Sequence, residues 1–397
     1  MKLFEGIRVL DLSRMLAGPY GSMLLADMGA EVIKIEDPDG GDPMRMMGPP
    51  FLPDGESAYF LAINRNKKSV ALDVSRERGR EVLYDLVRQA DVIWENFRPG
   101  IMDRLGLSYA KLYSLNQRII VCNISAYGQE GPYREWPAFD LALQAMGGAM
   151  SLTGEEGSRP VRMGLPMGDL AGGMFGAYAV AGALFRRSRT GRGAHIDLSL
   201  LDCQVSLLTY IAQYFFADGR VPRQMGSGHA SVVPYGALAT NDGHMVVAIF
   251  AEKFWGGFCR AVERPEWESD PRFATNRDRV ANRGALMAMI EAVFKERGTE
   301  EWLTRLNAAG VPVAPIQAVD RVLADPQVRH RRMVVEVEHP VHGALPTLGT
   351  PIKVDGQLAL EIAPPARLGE HTDAVLGELL GYPKERVATL RRDGIVA

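Results

Sequence analysis

Cysteine is scarce in this chain. There are three in 397 residues, Cys122, Cys203 and Cys259, set far apart. That spacing excludes a disulfide framework and a CxxC metal site. The seven histidines never stand at i,i+4 around an acid, so the zinc-hydrolase signature is missing too. Charge is nearly balanced at −3, with no Lys/Arg tract and no basic stripe interleaved with aromatics, so nothing marks a nucleic-acid partner. The segment MKLFEGIRVLDLS lacks the apolar core of a secretory signal. The longest uncharged apolar run, Leu170–Phe185, falls short of the roughly 20 residues a spanning helix needs and reads as a buried core helix. A cytoplasmic, reducing location without membrane association is expected. What remains is ordinary globular composition, 47% hydrophobic and 23% charged, in a chain long enough for two domains.

The first part alternates strand and helix patterns. IRVLDL (Ile7–Leu12), EVIKIE (Glu31–Glu36), SVALDV, DVIWEN (Asp91–Asn96) and RIIVCNIS (Arg118–Ser125) read as short buried strands. Between them lie a helix ending at Gly29 and one starting at Ser75, whose Val82, Leu83, Leu86, Val87 and Ala90 share a face. Such alternation predicts a mostly parallel, doubly wound α/β sheet. AHIDLS reads as a further strand and Leu201–Phe216 as one long helix. A Gly/Pro-rich stretch from Ala217 marks a crossing between domains. After it, HMVVAIF reads as a strand. An amphipathic helix carries Leu286, Ile290 and Phe294, and Thr299 caps another that ends at Gly310.

Four groups of residues invite a chemical reading. Glu36 closes a βαβ start, but the preceding loop SRMLAGPYG lacks GxGxxG, so Glu36 is expected to be a solvated strand-end acid and NAD binding is not supported. Basic residues of NRNKKS and ENFRPGIMDRLG, Lys67 and Arg104 among them, fall near predicted strand ends, where gathered cations suit a phosphate-bearing ligand. Asp140, after Phe139, reads as a helix-starting acid. Asp169 stands where an N-cap would, in front of the uncharged run, with Gly191 as the helix stop. The residues alone leave Asp169 open between a cap and an ionised nucleophile.

Across the chain, LFEGIRVLDLSRMLAGPYGSMLLADMGAEVIKIEDPDGGDPMR, NKKSVALDV, VIWENFRPGIMDRLG, FDLALQAMGG, MGDLAGG, RTGRG and LGEHTDAVLGELL occur in this order. In these stretches the sequence resembles the class III (formyl-CoA transferase-like, CaiB-BaiF-like) coenzyme A transferases, which include 2-methylacyl-CoA racemases. The resemblance implies that Asp169 is the nucleophile and Asp140 a possible second catalytic group. It implies CoA contacts at Met15, Leu16, Ala17, Leu72, Asp73, Val74, Asn96, Phe97 and Arg104, with Lys67 and Arg134 near phosphate. Leu16 replaces a polar residue of the oxalate-using members.

The resemblance further implies a discontinuous Rossmann-like large domain (1–200 and 330–397), a linker helix (201–224), a small α/β domain (225–315) and a return linker (316–329). Two chains would interlock as a homodimer. Coenzyme A or acyl-CoA would be a substrate, with no prosthetic group and no metal. CoA would pass from a donor such as succinyl-CoA to a small carboxylate. The loop GSGHASVVPYG is similar to that of members using dicarboxylates such as itaconate, mesaconate or citramalate, with His229 a locally bonded loop residue. Phe139 stands where the racemases have histidine, which favours transfer over the alternative of racemisation by Asp169 and Asp140. Outside enzymes, the alternative is a CoA-binding module in which Asp169 is only a cap.

Overall fold

The computed structural model describes residues 2–358 and 361–397; Met1, Ala359 and Leu360, which fall within the expected large domain, lie outside the described residues. By contacts the chain forms two compact units, one of residues 1–149, 163–210 and 326–397, the other of 150–162 and 211–325.

In the first unit, β1 (Arg8–Asp11), β2 (Glu31–Glu36), β3 (Lys67–Ala71), β4 (Val92–Glu95), β5 (Ile120–Ser125) and β6 (Ala194–Ser199) form one sheet. Its order is β3-β2-β1-β4-β5-β6 and every neighbouring pair is parallel. Apolar centres such as Val9-Leu10, Val32-Ile33 and Ile120-Val121 are buried because helices cover both faces. On one face α1 (Ala17–Asp27) and α8 (Met167–Thr190) pack through Leu25, Ala26, Ala177 and Val180. On the other, α3 (Glu77–Arg88), α5 (Tyr109–Leu115) and α19 (Lys384–Arg392) pack through Val82, Leu86, Leu112, Val387 and Leu390. The doubly wound parallel sheet expected from the strand–helix alternation is present.

Helices α1 and α8 cross closely because glycine lets them. A Cβ on Gly21 would sit 2.6 Å from the Gly173 carbonyl oxygen, and one on Gly173 would sit 2.8 Å from that of Ala17. The Leu170–Phe185 segment is therefore only half a core helix. Gly172, Gly173, Gly176 and Val180 face inward, whereas Met174, Tyr178 and Phe185 are exposed on this chain. Gly191 ends α8 at φ +70°, and its N–H bonds the Arg187 carbonyl. Arg187 is buried and pairs with Asp91 at 2.8 Å.

Several local expectations change in the folded chain. Ser75 does not cap α3; its N–H and hydroxyl both bond Asp73 Oδ1, which delays the helix to Glu77. The single helix expected over Leu201–Phe216 is two, α9 (Leu200–Ser206) and α10 (Thr209–Asp218), because Thr209 adopts φ +43°, outside the helical region. Residues 150–162 group with the second unit rather than with 1–200, tied there by Gln224 Nε2 donating to the Thr153 carbonyl and Gly226 N–H to that of Gly154. The segment 316–329 contains α16 (Val319–Ala324) and most of α17 (Pro326–His330).

The second unit holds an antiparallel sheet, β7 (Tyr235–Ala239), β8 (His244–Ala248) and β9 (Val313–Pro315), ordered β7-β8-β9. Trp255, Phe258, Phe294 and Trp302 build its core. Thr299 begins the helix Thr299–Ala308 instead of capping it. Asp242 accepts its N–H at 2.8 Å.

Candidate active site

An open 3-2-1-4-5-6 sheet binds ligands outside the carboxyl ends of the strands where the winding reverses, here between β1 and β4. A cleft of about 430 Å³ lies there. Its lining comes from the strand ends and loops at β1 to β4: Arg14 and Met15, then Ile35 to Asp37, then Leu72 to Ser75, then Asn96 to Arg98. The β1 and β4 loops are tied by reciprocal bonds, Arg14 N–H to Asn96 Oδ1 and Asn96 Nδ2 to the Arg14 carbonyl, both 2.8 Å. Met15 takes φ +70°, a conformation that costs a non-glycine residue about 1 kcal/mol or more, and its N–H reaches Asp42 Oδ1 at 3.3 Å.

The cleft thus gathers Met15, Leu72, Asp73, Val74, Asn96 and Phe97 from the residues singled out in the sequence. Leu16 and Ala17 are buried at the start of α1 and do not line it. Arg104 is exposed at the end of the short helix α4 (Ile101–Arg104), and Arg134 is exposed beside Glu135, 3.0 Å away. Two cations line the cleft: Arg14, which the sequence reading does not single out and which lies 5.5 Å from the Phe97 ring centroid, and Arg98, one of the basic residues of ENFRPGIMDRLG.

Lys67 is not available to a phosphate. Its buried ammonium donates to Asp11 Oδ2, the Pro19 carbonyl and Asn64 Oδ1 at 2.8–3.0 Å. Lys34 pairs with Asp42 at 2.9 Å and bonds the Ser13 carbonyl. Burial would raise the Asp11 carboxyl, but Lys67 and Lys34, with Ser13 and Ser22, bring it down to about 2. Burial brings the Lys67 ammonium down to about 8 although Asp11 supports it. Glu36 is likewise buried, not solvated, because Arg45 forks onto both its oxygens and Ser69 donates to Oε1.

Asp169 occupies the third position of α8; the N-cap position belongs to Pro166, and no side chain of the helix caps it. Asp140, the first residue of α6 (Asp140–Met146), performs that task from outside. Its Oδ1 accepts Gly168 N–H at 2.8 Å and Asp169 N–H at 3.3 Å. Burial, and then the Asp140 charge, push the Asp169 carboxyl up to about 7. Among the described residues no basic side chain pairs with it. Tyr59, on α2 (Ala58–Ile63), stands in the same electrostatic neighbourhood. Its hydroxyl is raised by burial and then by Asp169, Asp140 and Asp42. Nothing in the local sequence signals that approach.

Other candidate chemistry is accounted for. Burial raises all three thiols, Cys203 to about 11 and Cys259 to about 12, so none is a thiolate at neutral pH. Among the described residues one group, Glu56, His339 and His342, brings metal-ligating atoms together. His339 Nδ1 accepts the Val341 and His342 N–H groups, leaving its proton on Nε2 against Glu56 Oε2. That polarity suits a hydrogen-bonded staple, whereas a metal-bound histidine donates its other N–H. His229 Nδ1 accepts Ser231 N–H and its ring packs on Tyr235 and Phe250. No helix of the described residues is long and apolar enough to cross a membrane.

The first unit thus holds a Rossmann-like parallel sheet, a cleft at its switch point and, at a helix start, a carboxyl with no cationic partner among the described residues. Comparison gives the family. The family model of CoA-transferase family III matches residues 4–372. The succinyl-CoA:glutarate CoA-transferase of Mus musculus is 39% identical over 396 residues, covering all of this chain and 91% of that protein. The succinyl-CoA:mesaconate CoA-transferase of Haloarcula marismortui is 36% identical, covering 95% and 96%. A crystal structure of a CAIB/BAIF family protein from Brucella suis superposes with a TM-score of 0.85 at 39% identity, covering 95% of this chain and 99% of that one. The chain belongs to CoA-transferase family III and is a CoA-transferase, an enzyme that moves coenzyme A between an acyl-CoA and a carboxylate.

Proposed function

We propose that Asp169 is the covalent nucleophile of this transfer and that succinyl-CoA and a small dicarboxylate are the donor and acceptor. The observation that carries the reading is a carboxyl at a helix start with no cationic partner among the described residues and a proton affinity matched to neutral pH. A carboxylate of raised basicity is a better nucleophile than an ordinary aspartate, and it is about half ionised at pH 7 and increasingly so above it. Its oxygen attacks the thioester carbonyl, the C–S bond breaks, and an aspartyl mixed anhydride and CoA thiolate result. The thiolate then attacks the Asp169 acyl carbon, releasing the donor's carboxylate and leaving an aspartyl-CoA thioester. The acceptor carboxylate attacks that thioester, expelling the thiolate. The thiolate in turn attacks the acceptor's acyl carbon and frees Asp169. Thioester energy passes on with no net proton and no other co-reactant.

The cleft takes the nucleotide end of CoA, with Phe97 and Leu72 as apolar surface and Arg14 and Arg98 toward phosphate. The names of the relatives support glutarate and mesaconate as first acceptors, with itaconate and citramalate beside them. Racemisation is the weaker reading, since all three bonds to Asp140 occupy it with backbone and Gln144 donors. A homodimer fits the exposed Met174, Tyr178 and Phe185 of α8. The test is intact-mass analysis with succinyl-CoA, wild type beside Asp169→Asn, followed by peptide mapping and an acceptor screen. A CoA adduct on the Asp169 peptide, absent from the variant, is expected. An adduct that survives in Asp169→Asn, or none in the wild type with any acyl-CoA tried, contradicts the reading.

A further inference from the structure

The helix that presents Asp169 starts without a cap of its own. Its N-cap residue is Pro166, whose ring offers no acceptor, so the first-turn N–H groups need one from elsewhere. Asp140 Oδ1 supplies it to Gly168 and Asp169. Asp140 Oδ2 is held in turn by Gln144 Nε2 at 2.6 Å, one turn further along α6. Gln144 is fully buried and its other atom is committed too: Oε1 accepts Met163 N–H at 2.8 Å, while Nε2 also reaches the Leu165 carbonyl at 3.3 Å. Two side chains on one face of α6 therefore grip both ends of the segment 163–169. Glycine at 168 fits this grip. A Cβ there would stand 3.0 Å from Asp140 Oδ1, tighter than such contacts normally allow.

We propose that Asp140 is a positioning residue, the external cap of the helix carrying Asp169, fixed in that task by Gln144. The inference rests on Asp169 being the reacting carboxylate. A serine or asparagine at the N-cap would do the same hydrogen bonding, so the choice of an acid in trans has a further effect. All three contacts place donors on Asp140, the arrangement of an ionised carboxylate. Its charge faces Asp169 and disfavours a second negative charge there. Of the other elements packed on α8, α1 brings Tyr20 and Asp27, α9 brings Asp202 and Cys203, β5 brings Cys122, and β6 brings His195 and Asp197. The charge that acts on Asp169 is that of Asp140, with Tyr59 facing both from α2. One residue thus fixes where the nucleophile stands and tunes how basic it is.

The test needs no turnover. A water-soluble carbodiimide reacts with protonated carboxyls, so labelling of the Asp169 peptide across pH 5–9 reads its titration directly. In Asp140→Asn and Asp140→Ser, which keep a capping oxygen, the labelling midpoint is expected to fall by about 1 pH unit. Asp140→Ala removes the cap, and amide exchange at Gly168 and Asp169 should quicken roughly tenfold. Residues 171–180 should be unaffected. Gln144→Leu should speed exchange over 163–169 while leaving the midpoint in place, which covers the case in which no Asp140 variant folds. An unmoved midpoint in the folded Asn and Ser variants overturns the proposal. So does unchanged exchange in Asp140→Ala or Gln144→Leu. If wild-type Asp169 titrates as described and forms no CoA adduct, the functional reading fails and the positioning role falls with it, leaving Asp140 as a helix cap whose charge raises Asp169.

Discussion

Asp11 and Asp169 are both carboxyls withdrawn from water within the same unit, and their environments drive them in opposite directions. Asp11, at the end of β1, receives Lys67, Ser13 and Ser22, with Lys34 close by, and is brought down to about 2. Asp169, at the start of α8, has burial and a like charge, and is pushed up to about 7. Asp11 is fully buried and Asp169 only partly, so depth alone would push Asp11 the higher, and it is the partners that reverse the order. A buried acid given cations becomes a fixed part of the scaffold, while one denied them keeps a proton affinity near the working pH and stays reactive. The Asp11 cluster lies directly beneath the loop after β1, so the inert acid braces the cleft and leaves the chemistry to the other.

The largest expected effect breaks the comparison at its reactive end. Asp169→Asn should lower transfer turnover by roughly 10³-fold or more while leaving thermal stability unchanged or slightly raised, as read by steady-state kinetics and a melting curve. At the other end, Asp11→Asn strips Lys67 of its buried counter-charge and should cost about 3–5 kcal/mol in urea unfolding. A stable Asp11 variant would erase the distinction.

Glu95 sharpens it. This acid ends β4, accepts Phe97 N–H and an Asn123 Nδ2 hydrogen, pairs with no cation among the described residues, and is pushed up to about 7 by burial. Between its ordinary 4.5 and 7 the folded chain holds a proton the unfolded chain has released, so its stability contribution declines as pH rises through that window. The stability of Glu95→Gln relative to wild type should therefore rise by about 3 kcal/mol from pH 5 to pH 8, measured by urea unfolding at each. The smallest effect belongs to the cleft. Arg98→Ala should raise KM for the acyl-CoA about fivefold with kcat nearly unchanged.

The alternating patterns made the parallel sheet legible, because buried strands such as IVCNIS need no long-range information to be seen. The cleft residues after β3 and β4 were legible through resemblance, since strand-end loops carry little periodicity. The ionic layer was not. Glu36 and Lys67 look like surface charges in sequence, and only the fold brings Arg45 and Asp11 to them. The residues alone leave Asp169 open between cap and nucleophile because capping is judged from local neighbours, and the true cap, Asp140, lies in another helix. The break at Thr209 is equally hidden, since a lone threonine in an apolar run gives no sign of φ +43°.

The most direct test of the central claim is the rate of CoA-adduct formation on Asp169, followed by rapid-quench mass spectrometry from pH 5 to pH 9. The account predicts a rate that is low in acid, rises through a single ionisation near pH 7 and then levels off. A rate independent of pH across that range would contradict it.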